Sequence, residues 1–221
     1  MPNYSGMWTT TQQMQAKGQS LWPSPPLVIG QALGGGFYAG QISTAGNSIA
    51  DYNLVVGPVS SAQSILAWKT SRTTTTGTTS VINGPANSTA MNNASHPAAQ
   101  FCEAVTAGGF TDWYMPAKNE LEVCYYNLKP STTSNDTASG INANAVPARA
   151  SNYTSGTPAQ TSATDFQTTG TEYFTAGSYW SSTEFSSTKG QTQYFSDGLQ
   201  FNYNKDYSGS IRVRAIRRVA V

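Results

Sequence analysis

The stretch Gly108-Gly109-Phe110-Thr111-Asp112-Trp113-Tyr114-Met115-Pro116-Ala117-Lys118-Asn119-Glu120-Leu121 decides how this chain is read. Its glycine pair supplies a tight turn, because residues without a Cβ reach backbone conformations that stop a helix. Trp113 is large enough to anchor a strand to a core. Pro116-Ala117 then opens a helix without wasting a backbone donor. Leu121, Cys124, Tyr125 and Leu128 follow on one apolar stripe, Glu120 and Glu122 stand early, where the positive end of the helix dipole favours them, and Pro130 ends the element. Upstream, Ser95-His96-Pro97 offers an N-cap with proline in the first turn, and Ala98, Phe101, Cys102 and Val105 fall at helical spacing before the glycine pair. Two helices with buried cysteines therefore flank the turn.

Short β-branched and aromatic runs surround them. Tyr52 to Pro58 and Ile65 to Lys69 read as strands, whereas Thr73 to Thr79 and Asn83-Gly84-Pro85 read as turn and loop. Residues 131 to about 175, rich in Ser, Thr, Asn, Ala and Gly, read as a long surface excursion and not a second core. Tyr179 to Glu184, Gln193 to Phe195, Leu199 to Phe201 and Ile211 to Val219 read as three or four closing strands. In the last of these Ile211, Val213 and Ala215 alternate with Arg212 and Arg214, which predicts one buried face and one face carrying guanidinium groups. The fold class is α+β, two helices on small antiparallel sheets with long irregular loops, over residues 46 to 221. Residues 1 to 45 show no sustained periodicity and read as an attachment or oligomerisation segment, whose Trp8 and Trp22 pack either on a neighbouring chain or back on their own domain.

Composition narrows the function classes. Only 10% of the 221 residues are charged, against about 25% in ordinary soluble domains. The surface is therefore largely uncharged and polar. A net charge of +1 supplies no field for nucleic acid or an anionic membrane, and no basic stripe is interleaved with aromatics. No apolar run approaches the length of a membrane span, and the N-terminus lacks the basic and apolar parts of a secretion signal. Two cysteines are too few for a disulfide framework and have no metal-ligand spacing, which leaves a single bridge or two buried thiols.

Three ordered motifs, the 108–121 stretch, Tyr179-Trp180-Ser181-Ser182-Thr183-Glu184 and Val213-Arg214-Ala215-Ile216-Arg217-Arg218, together resemble the Lcl C-terminal domain family over roughly residues 50 to 219. That resemblance implies the C-type-lectin-like fold in the version shared with formylglycine-generating-enzyme-like domains. It also implies a scaffold role for Asp112, Trp113, Trp180 and Glu184, with Glu184 expected to pair with an arginine of the last strand. The family is common in phage tail fibres and tail-tip proteins, including tropism determinants diversified by retroelements. What it implies here is a non-enzymatic receptor-binding protein of the phage tail, assembled in the host cytoplasm and carried on the virion. Its implied partners are a host cell-surface protein or glycan and other tail proteins, and its implied state is a homotrimer.

The binding surface is expected between Glu184 and Ile211, on Phe185, Lys189, Tyr194, Asp197, Phe201, Tyr203, Asp206 and Tyr207. Tyrosine and phenylalanine among Ser, Gly and Asn give large contact area at small entropic cost, as in antibody loops. The same rings could instead be cross-strand pairs of an ordinary sheet. Catalysis finds little footing: the cysteines lie on the helices, His96 stands at a helix start, and no serine elbow or phosphate loop is present. The calcium-ligating signatures of true C-type lectins are also missing, so no cofactor or metal is expected. A structural virion component without receptor contact is the alternative function, and a glycan-degrading tail enzyme a more distant one.

Overall fold

The computed structural model describes residues 9–11, 13, 14 and 26–221, so Trp8 and Trp22 lie outside the described residues. The chain forms a mixed α+β structure of two five-stranded sheets. The first contains β1 (Ala32–Leu33), β2 (Gly36–Ile42), β3 (Tyr52–Val56) and β10 (Ile216–Ala220) in that order, with β5 (Ala145–Val146) also paired to β2. The second has the order β4 (Gln63–Ile65), β9 (Arg212–Arg214), β6 (Ser178–Glu184), β7 (Lys189–Tyr194), β8 (Gln200–Asn204). All pairings are antiparallel except β6 with β9. Within residues 26–221 four α-helices accompany them: the single turn α1 (Val59–Ala62), α2 (Gly84–Ala90), α3 (Pro97–Glu103) and α4 (Lys118–Leu128).

The two helices expected from the sequence are α3 and α4, with narrower bounds. His96, not Ser95, caps α3, which ends at Glu103, and a separate 3-10 turn at Ala107–Gly109 carries positive φ at both glycines. Helix α4 lies between the sheets, packed on β2 and β5 of one and on β6 and β7 of the other. Residues 119 to 125 are consequently buried all round, including Glu120 and Glu122. Glu120 stands in the first turn as expected, and both carboxylates accept hydrogen bonds inside the protein.

β3 and β6 are each buried on both faces, because successive side chains of a strand point to opposite sides. Leu54 and Val56 join one hydrophobic cluster with Leu121, Cys124, Tyr125 and Phe195, whereas Val55 joins a second with Trp68, Trp113, Cys102 and Trp180. In β6 likewise, Tyr179 faces the first cluster and Trp180 the second. Both cysteines are free and buried, one in each cluster.

Five further expectations need correction. Asn83-Gly84-Pro85 is a helix start and not a loop, since the Asn83 side chain accepts the Ala86 N–H and Pro85 occupies the first turn. The strand at Ile65 to Lys69 ends at Ile65, and Trp68 is buried in irregular chain. The closing run is two strands: at Ala215, whose N–H and C=O bond to Ala62 and Gly57, the chain leaves the second sheet for the first. The 131–175 excursion is irregular but not merely superficial, because Tyr153, Phe166 and Phe174 are buried in the first cluster. Finally, β1 and β2 fall within residues 1 to 45, so a domain boundary at 45 would divide the first sheet between β2 and β3.

Candidate functional site

The framework beneath the expected site is built from buried polar pairs. Glu184 does not meet an arginine of the last strand; Lys205 donates to it at 2.8 Å, and Thr75 N–H and Thr78 Oγ1 donate to its other oxygen. The Lys205 ammonium also lies 4.7 Å from the Trp68 ring centre, and burial holds its pKa below the usual lysine value. The Trp68 and Trp180 indoles donate to the Ser181 and Leu66 carbonyls, which fixes both rings. The expected guanidinium face is open only in part, since Arg212 lines a surface cleft but Arg214 does not. Arg214 is buried, donates to Gly57 O, Glu172 O and Glu172 Oε2, and lies against Phe166 and Phe174, where burial lowers its pKa to about 10. Arg217 grips Asp112 through two bonds of 2.7 and 2.8 Å.

On this framework β8 forms the free edge of the second sheet. Its register sets Thr192 opposite Phe201 and Gly190 opposite Tyr203, so both rings leave the same face of the ribbon, the face that Trp180 occupies further in. The sheet is covered at β6 and open at β8. Phe201 meets Tyr203 edge-to-face at 5.5 Å, and Tyr203 meets Tyr207 at 5.9 Å. Tyr194, in phase with Thr192, joins Tyr203, Tyr207, Ser210 and Arg212 around a cleft of about 290 Å³. Phe185, Tyr194, Phe201, Tyr203 and Tyr207 are 54%, 36%, 48%, 38% and 42% exposed. Phe201, Tyr203 and Tyr207, contiguous at the edge strand, form an exposed apolar patch with polar surroundings, which marks interaction surfaces.

Of the eight expected site residues, the fold brings together Tyr194, Phe201, Tyr203 and Tyr207. Asp206 supports them, because Arg72 Nε reaches both its oxygens, at 2.9 and 3.0 Å, and ties the Tyr207 segment to the loop at residue 72. Phe185 stands beyond the end of β6, and no ring contact links it to the row among the described residues. Lys189 is one residue out of phase with Gly190, so it leaves the opposite side of the ribbon. Asp197 is a turn former whose Oδ1 accepts the Leu199 N–H at 3.1 Å. Sequence reading missed Arg212 and Ser210: alternation marked Arg212 as outward, but only the pairing of β9 with β6 sets it beside Tyr194.

No family model, curated protein or solved structure matches the chain.

Elsewhere the titratable groups look structural. Burial pushes both thiols well up, so neither is ionised at neutral pH. Among the described residues no group of three or more His, Cys, Asp or Glu side chains could hold a metal ion. No helix there is long and apolar enough to cross a membrane.

Proposed function

We propose that this chain is a receptor-binding protein of a phage tail fibre or tail tip, built on a C-type-lectin-like scaffold. Its contact surface is the aromatic row Tyr194, Phe201, Tyr203 and Tyr207. The observation that carries the reading is that Phe201, Tyr203 and Tyr207 touch in a row, share a cleft with Tyr194, and are exposed together at the edge of a sheet held by buried tryptophans and the Glu184–Lys205 pair. Rigid, exposed aromatics bind with little entropic loss. Helices set on small sheets joined by long irregular segments support the scaffold assignment. In this reading the partners are a host cell-surface receptor and other tail proteins, the assembly is a homotrimer, and the protein resides on the virion.

The test is host-cell adsorption and thermal unfolding on one set of variants. Tyr203→Ala or Phe201→Ala should leave the unfolding temperature within a few degrees of the parent, since an exposed ring leaves no cavity. Loss of a central anchor should weaken adsorption by about thirty-fold, the equivalent of about 2 kcal/mol. Trp113→Ala and Trp180→Ala should instead cost about 3 to 5 kcal/mol of stability, because both rings are buried. Aromatic variants that adsorb normally but no longer assemble would assign the row to subunit contact and the chain to a structural role.

A further inference from the structure

Arg212 is set apart from the other arginines by its lack of a carboxylate partner. Arg72 pairs with Asp206, Arg149 with Glu122, Arg214 with Glu172, Arg217 with Asp112 and Arg218 with Glu120. Arg212 makes one long bond, from Nη1 to the Ser210 carbonyl at 3.4 Å, and its Nε and Nη2 have no partner among the described residues. Its side chain lines the cleft of about 290 Å³ beside Tyr194, Tyr203 and Tyr207, and no residue of that lining is acidic. Asp206, next to Tyr207, is already held by Arg72.

Uncommitted donors surround this guanidinium. The hydroxyls of Ser178, Tyr194 and Tyr203 line the same cleft with no hydrogen bond among the described residues, and Tyr207 OH meets only Ser210 Oγ, at 3.3 Å. Gly177 keeps one side of the guanidinium uncovered, because a Cβ there would stand 3.2 Å from Nη1. The cleft is smaller than the ~300 Å³ at which pockets begin to enclose a whole ligand, so it suits one group of a larger partner. A cation would be repelled, and a neutral group would leave the charge unmatched. Among anions, a carboxylate fits best: the free Nε–Nη2 edge presents two parallel N–H donors, and one positive charge balances one carboxylate, whereas a phosphate monoester brings about −1.5 to −2.

The sheet edge beside the cleft favours a polypeptide as the carrier of that carboxylate. Leu199 O and Lys205 N–H bond to Tyr194 N–H and Thr188 O, on the β7 side. Alternation along an antiparallel strand therefore turns the backbone of Gln200, Asn202 and Asn204 towards the free edge. Gln200 N–H donates to Ser139 Oγ and Tyr207 N–H to the Asn204 carbonyl, which leaves the N–H and C=O of Asn202 for an added strand. Such a strand sets every second side chain on the face that carries Phe201 and Tyr203, where the cleft lies. A glycan or a polyphosphate has no backbone ladder to place there. We propose that β8 receives an extended, acidic segment of a protein and that Arg212 takes one of its carboxylates in the cleft; this rests on the aromatic row being the receptor contact, and makes the receptor an acidic polypeptide.

The probe is a fluorescent, acetylated octapeptide that alternates threonine and glutamate, titrated with the full chain and read by anisotropy. It should bind, and the counterparts with glutamine or lysine in place of glutamate should not. Arg212→Gln should weaken binding about tenfold or more. It should not lower the unfolding temperature, since the side chain holds only the Ser210 carbonyl. Lys189→Gln, on the opposite side of the ribbon, should leave binding unchanged. The proposal is overturned if the glutamate peptide does not bind, if the glutamine peptide binds as well, if Arg212→Gln leaves binding intact, or if a galacturonate trimer or inorganic tripolyphosphate binds through Arg212 more tightly than the peptide. Host-cell adsorption separates this proposal from the reading beneath it. Loss of adsorption in Tyr203→Ala but not in Arg212→Gln overturns the carboxylate contact alone, whereas normal adsorption by Tyr203→Ala removes the receptor reading and leaves the peptide titration to stand by itself.

Discussion

His96 is buried at the start of α3, between Thr75 and Asn93, with its ring edge-on to Trp68. Lys69 donates to Thr75 Oγ1, which lies 2.9 Å from His96 Nε2, and Nδ1 lies 2.9 Å from Asn93 Oδ1. A neutral ring fits these partners, donating from Nδ1–H to Asn93 Oδ1 and accepting at Nε2 from the Thr75 hydroxyl. Burial, then Lys69 and Lys205, lower its pKa to about 4, against the opposing pull of Glu184. Between pH 6.5 and about 4 the unfolded chain takes up a proton that the folded one refuses. The ring's contribution to stability is therefore complete above pH 6.5 and is lost as pH falls towards 4, by roughly 3 kcal/mol at most. His96→Gln should flatten the unfolding temperature of the protein across that window relative to the parent. Equal slopes would show that the ring does not titrate as described. The sequence placed His96 at a helix start as a capping and packing residue; it stands at that start and is packed, but its side chain makes no cap hydrogen bond and reaches Thr75, 21 positions away, instead.

The helix α4 presents a second case, in which position within the element mattered less than what surrounds it. Its stripe of Leu121, Cys124, Tyr125 and Leu128 is buried as the periodicity predicts, yet its mixed composition also buries two carboxylates. Glu120 accepts from Tyr114 OH, Ala117 N–H and Arg218, towards the first sheet. Glu122 accepts from Asn142 Nδ2 and Tyr153 OH, both at 2.6 Å, and from Arg149, towards the long excursion. Removing one member of a buried hydrogen-bonded pair leaves the other unpaired, at about 3 to 5 kcal/mol. Glu122→Ala should therefore destabilise by that amount in urea unfolding and should free residues 142 to 153 to exchange amide hydrogens faster. A loss under 1 kcal/mol would mean that the excursion is held by its aromatics alone. The sequence places both acids early in the helix, and only the sheets packed on two sides of it decide that they are buried.

At the scale of the whole molecule, the first sheet joins chain from residues 32 to 42, 52 to 56, 145 to 146 and 216 to 220. Truncation should show it. Deleting residues 1 to 45 removes β1 and β2, uncovers one edge of β3 and strips Ala39 and Ile42 from the core, so no cooperative thermal transition should survive. A 46–221 fragment that melts cooperatively would contradict the sheet's dependence on β2.

What the sequence determined by itself is what local chemistry fixes: the α+β class, the proline-opened helix α3, the apolar stripe of α4, the glycine turn between them, the buried Trp113 and Trp180, and a C-terminal segment rich in aromatics. Each follows from spacing along one element or from the backbone freedom of one residue type. Only the tertiary structure decided which carboxylate meets which cation, that Glu184 belongs to Lys205, that Phe185, Lys189 and Asp197 stand apart from Tyr194, Phe201, Tyr203 and Tyr207, and that the last run splits at Ala215. Such choices depend on strand register and on chain brought together from positions more than a hundred residues apart, as in Arg217 with Asp112 or Arg214 with Gly57. A one-residue change of register would turn every β8 side chain to the other face, and no local pattern in Gln200–Asn204 records which face is open.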